Sequence, residues 1–115
     1  MFFMIILLYK EEYYEDLLNS LVESGINDSF VIEGQTINQA VNINLPIFSG
    51  LKYRFKDSER YSKIIFSTIK DKNQFDYFIN VFKDYKIDLN KEEVIRIYIL
   101  KLDSVFGKDE EFKIE

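Results

Sequence analysis

Two stretches of this chain each read as strand, helix, strand, and between them lies a connection of roughly residues 35 to 60. That repeat limits the fold to arrangements in which four strands and two helices share one core. Connections inside compact domains are usually a handful of residues, so one this long, without obvious secondary structure, is the place to look for function.

The elements follow from local patterns. Residues 2 to 8 are a continuous apolar run of strand length, closed by the polar cluster Lys10-Glu11-Glu12. Tyr14, Leu17, Leu18, Leu21 and Val22 recur at helical spacing, with acidic residues in the first turn and Gly25 placed to end the helix. Ser29 to Glu33 is a short β-branched and aromatic run that ends at Gly34. In the second half, Tyr61 to Ile69 reads as a strand. Asp71-Lys72-Asn73-Gln74 has the form of a capping box. A helix with Phe75, Phe78, Ile79 and Phe82 on one face follows, then a polar stretch from Lys86 to Glu93, and Val94 to Leu102 is the last strand. From Gly107 to 115 the chain reads as a charged tail.

The expected fold is α+β and ferredoxin-like, βαββαβ, with residues 1–115 as one domain. It has a four-stranded antiparallel sheet, two helices on one face and a long loop between strands two and three. A sheet with one wet face alternates apolar and polar residues, whereas the first, third and fourth strands here are bulky on both sides. An uncovered face of that kind marks an interface, so a homo-oligomer closed through the sheets is expected; the alternative is that the long connection folds back as a cover.

Composition removes whole classes of chemistry. There is no cysteine and no histidine, which excludes disulfides, thiolate nucleophiles and the commonest general base and metal ligand. An enzyme is not expected. The formal net charge of -5 argues against a nucleic-acid partner. The opening apolar run is too short to span a bilayer and lacks the flanks of a signal peptide, so no membrane insertion and a cytoplasmic location are expected.

The connection has internal order. No charged residue occurs from Gly34 through Leu51, and then Lys52, Arg54, Lys56, Arg60 and Lys63 face only Asp57 and Glu59. In an extended backbone Lys52, Arg54 and Lys56 share one side, with Tyr53 and Phe55 on the other. Such a row grips a phosphate or carboxylate, Arg54 being the best bidentate donor, or else it is a solvated edge. Lys52, Arg54, Lys56 and Arg60 are thus candidate anion contacts, with Gly34 as a hinge able to take φ > 0 and Gln35 beside it.

With the Gly25-Ile26 turn, the strand ending at Gly34, the long connection and the closing Leu102-Asp103-Ser104-Val105, the chain resembles the nitrogen-regulatory PII-like superfamily. The resemblance runs from the first strand to Gly107. It implies a trimer, a T-loop at 35–60 that engages a small anionic ligand or a regulatory target protein, and a cleft between subunits completed by the turn carrying Lys86 and Lys91. It also implies adenine-nucleotide binding, but Lys83 to Glu93 contains no glycine for a phosphate-holding turn, and no tyrosine-arginine-glycine motif lies between Gln35 and Arg60. The cofactor is left open. An ACT-like small-molecule sensor shares the strand order but connects its second and third strands tightly, and a scaffold that has lost ligand binding is the remaining alternative.

Overall fold

The structure, a computed structural model, describes residues 1–44, 61–91 and 93–114. Its elements are β1 (Phe2–Leu8), a 3₁₀ turn (Glu11–Tyr13), α1 (Tyr14–Glu23), β2 (Ser29–Gly34), α2 (Ile37–Asn44), β3 (Ser62–Ile69), α3 (Lys72–Lys83) and β4 (Ile95–Lys101). The chain is α+β, with a four-stranded antiparallel sheet in the order β2-β3-β1-β4.

Strand register explains the apolar runs. Met4, Ile6 and Leu8 of β1 and Ile65 and Ile69 of β3 are buried, and they form one core cluster with Leu17 and Leu21 of α1 and Phe78 and Phe82 of α3. Ile95, Ile97 and Ile99 of β4 pack against the same cluster. The alternate residues lie on the other face. There, Phe30, Phe66, Ile5 and Tyr98 stand opposite one another across all four strands, followed by the row Ile32, Ile64, Leu7 and Arg96. Phe30 is 76% exposed, Ile32 48% and Leu100 51%, and the Phe3 and Phe66 rings stack at 5.9 Å on that face. β1 is apolar throughout because both of its faces meet apolar neighbours.

The helix ends are fixed by short polar contacts. Gly25 takes φ +74, the Ile26 N–H donates to the Leu21 carbonyl at 2.9 Å and the Gly25 N–H to that of Val22 at 3.0 Å. Those two bonds make a Schellman end, with Leu21 and Ile26 meeting in the core below it. Asp71 caps α3 by accepting from the Gln74 N–H at 2.9 Å. The Gln74 amide accepts from the Lys70 N–H and donates to the Ser24 carbonyl at 3.1 Å, so one side chain ties the start of α3 to the end of α1. Of the expected α1 face, Leu17 and Leu21 are buried, whereas Val22 is 46% exposed because it turns past the edge of the core.

Two expectations are corrected. The long connection is not without structure at its start, because α2 occupies Ile37–Asn44. Thr36 caps it with a reciprocal pair: the Gln39 N–H donates to Thr36 Oγ1 at 3.0 Å, and the Thr36 N–H donates to Gln39 Oε1 at 2.9 Å. Gly34 is not in the left-handed region either. It is the last paired residue of β2, opposite Ser62, and a Cβ there would meet Ile64 Cδ1 at 3.0 Å, so close approach rather than φ is what glycine supplies.

Candidate functional site

Antiparallel pairing of β1 with β4 sets Leu8 opposite Ile95, and the Tyr9 N–H continues the ladder by donating to the Val94 carbonyl at 3.0 Å. Lys10, just past the end of β1, therefore stands beside the head of β4 and its Arg96. The turn before β4 is anchored by buried Ile87 and Val94, with Leu89 packed against the core. Asp88 folds it, its carboxylate accepting from the Asn90 N–H at 3.0 Å and its carbonyl from the Lys91 N–H at 3.3 Å. Asn90 and Lys91 are thereby turned outward. Lys86 and Glu93, at the two ends of this turn, take φ +61 and +62, a conformation costing about 1 kcal/mol or more for residues with a Cβ.

These pieces enclose a cleft of about 740 Å³. Its floor is Leu89 and Ile95, its cations are Lys10, Lys91 and Arg96, and among the described residues Glu93 is the one carboxylate on its wall. Thr36, Asn38 and Gln39, from the first turn of α2, form the opposite side. The Arg96 guanidinium lies 5.4 Å from the centre of the Tyr98 ring, which holds it over the sheet.

Among the described residues the cations of the cleft, Lys10, Lys91 and Arg96, take part in no ion pair. The ion pairs among those residues are those of Lys63, to Glu33 at 2.8 Å and to Glu11 at 3.4 Å. Lys63 is a contrasting case. Its ammonium also sits 5.1 Å from the centre of the Tyr14 ring, joining β3 to β2, the 3₁₀ turn and α1. The Glu33 hydrogen bond, helped by Glu11, raises it above its ordinary 10.5 against the opposing effect of burial. Lys63 is thus engaged in holding the fold, while three other cations remain available to a ligand.

The residues expected at the site are only partly brought together. Lys91 lines the cleft; Lys86 stands at the far end of the same turn, outside the lining. Gly34 and Gln35 lead directly into Thr36 on the cleft wall. Lys52, Arg54, Lys56 and Arg60 lie outside the described residues. Lys10, Arg96, Asn38, Gln39 and Asn90 are additions, and strand register is the signal that would have found the first two. Thr36-Ile37-Asn38-Gln39 is a legible capping box and would have found the next two.

Neither family models nor characterised proteins match this sequence. Among the described residues no helix is long and apolar enough to cross a membrane.

Proposed function

We propose that the chain is a PII-like regulatory protein of ferredoxin-like βαββαβ fold that acts in the cytoplasm by binding a small anionic ligand. The strand order β2-β3-β1-β4 and the single core cluster shared by α1 and α3 support the fold reading. One observation carries the functional reading: Lys10, Lys91 and Arg96 line one cleft and, among the described residues, have no ion-pair partner, in a chain whose formal net charge is -5. A phosphate or carboxylate seated there gains charge-assisted hydrogen bonds from three donors, with the Asn38, Gln39 and Asn90 amides within the same wall. Contact with the first turn of α2 transmits occupancy to the long connection, which is how a target protein would sense it.

The test is a thermal-shift screen with inorganic phosphate, citrate, bicarbonate and adenine nucleotides. At a hundredfold excess over Kd, a ligand specific to the folded state adds about 2.7 kcal/mol, on the order of 10 °C for a chain of this size. The double variant Lys10→Ala, Arg96→Ala should lose that response while its unliganded midpoint stays within a few degrees, since exposed charges add little stability. A variant that responds as the wild type does would refute the cleft as the site.

The homo-oligomer, a trimer in this reading, is supported by the apolar rows on the uncovered sheet face, where Phe30, Ile32, Tyr98 and Leu100 are exposed. Light scattering should give a multiple of the 13.8 kDa chain at micromolar concentration, and a monomer mass would overturn that part.

A further inference from the structure

The segment after β4 is acidic and apolar by turns, and its residues from Asp103 to Ile114 are exposed. Val105, Phe106, Phe112 and Ile114 are exposed, Phe106 and Ile114 almost wholly so. Asp109, Glu110 and Glu111 form three consecutive carboxylates, and among the described residues none takes part in an ion pair. Among those residues, three unpaired cations thus share one cleft and three unpaired carboxylates one run.

Reach decides whether they can meet. The segment leaves the sheet at Leu102, whose N–H donates to the Met1 carbonyl at 3.1 Å, at the opposite end of β4 from the cleft. β4 has seven residues, about 23 Å at the rise of a strand. The stretch from Asp103 through Asp109, fully extended, spans about 23–25 Å. Folded back along β4, the segment brings Asp109 level with the head of the strand at Arg96, and Glu110 and Glu111 follow it toward the cleft. The path is open, because β4 is an outer strand of the sheet with one edge unpaired. The chain bends at Asp103, directly after β4, and that is where it can turn back.

We propose that Asp109–Glu111 docks in the cleft of its own chain, against Lys10, Lys91 and Arg96, and that a small anion must displace it. This rests on the anion reading of the cleft and adds a regulator to it. Phe112 then lies over Leu89 and Ile95, and Glu93, a like charge on the wall, keeps the docking weak enough to be displaced. The partner is intramolecular because the length of the segment matches the span.

The chain has no cysteine, so a nitroxide on Lys113→Cys reports the position of the segment in the full-length protein. At low salt it should broaden the amide signals of Asn90, Lys91, Ile95 and Arg96, and the broadening should fade at about 0.5 M salt, where screening is nearly complete. The same labelled protein carrying Asp109→Asn, Glu110→Gln and Glu111→Gln should lose the broadening. Without the label, that triple variant should bind inorganic phosphate about fivefold more tightly, the gain expected when a closed state holding four fifths of the molecules is removed. No broadening at low salt, or broadening indifferent to the triple variant, would overturn the docking. Broadening that persists in a mixture of labelled and isotope-enriched unlabelled chains would overturn its intramolecular form. If the docking holds but phosphate binds neither protein, the segment's role stands and the small-anion reading of the cleft fails.

Discussion

Lys63 and Lys10 are the same residue type put to opposite uses by position. Lys63, on the core side of β3, stands opposite Glu33 in the ladder and beside Glu11 and Tyr14, so its ammonium joins four elements. Because its folded-state value is raised, the stability it adds is complete below the unfolded value near 10.5 and is lost as pH climbs through the raised one. Urea unfolding of wild type and Lys63→Met from about pH 9 to about pH 11.5 should show the wild type losing stability relative to the variant. A difference that stays constant across that range would mean the pairing adds nothing. The sequence marks Lys63 only as one of several cations near the long connection. What separates it from Lys91 is register, which no local window contains. Gly25 and Asp71, by contrast, were legible, because a helix end is a local event and its residues are adjacent.

Among the elements, the four strands and the two long helices follow from periodicity and caps, and they lie where those signals put them. α2 does not stand out in that way. Its capping box has the same form as the one at Asp71, but the eight residues behind it carry a short apolar pattern, and Ile37 is 82% exposed. A helix this short is held mainly by its cap and by the Ser62 hydroxyl, which donates to Gln39 Oε1 at 3.1 Å. Thr36→Ala should therefore raise amide exchange at Ala40 to Asn44 by about fivefold, the effect of roughly 1 kcal/mol of lost capping, and leave the thermal midpoint nearly unchanged. A large fall in the midpoint would instead make α2 part of the cooperative core. Since Thr36 and Gln39 also wall the cleft, the cap joins the cleft to the entrance of the connection.

At the scale of the whole molecule, the cleft is a product of topology. Lys10, Lys91 and Arg96 are spread over most of the chain, and they meet because the end of β1 and the start of β4 lie at one end of the sheet, where α2 also begins. The sequence pointed to that end through the long connection and the turn before β4, and it missed the two cations that only strand pairing delivers. The second sheet face was legible as an excess of apolar residues, and among the described residues Phe30, Ile32, Tyr98 and Leu100 stand exposed on it. In the proposed function the three cations act as one anion site. That role is tested most directly by titrating isotope-enriched protein with inorganic phosphate and with citrate at low salt, following the amide signals. Saturable shifts should concentrate at Lys10, Asn38, Gln39, Asn90, Lys91, Ile95 and Arg96, and be lost in Lys10→Ala, Arg96→Ala. Shifts that spread without saturation over other surface cations, such as Lys70, Lys83 and Lys101, would contradict it.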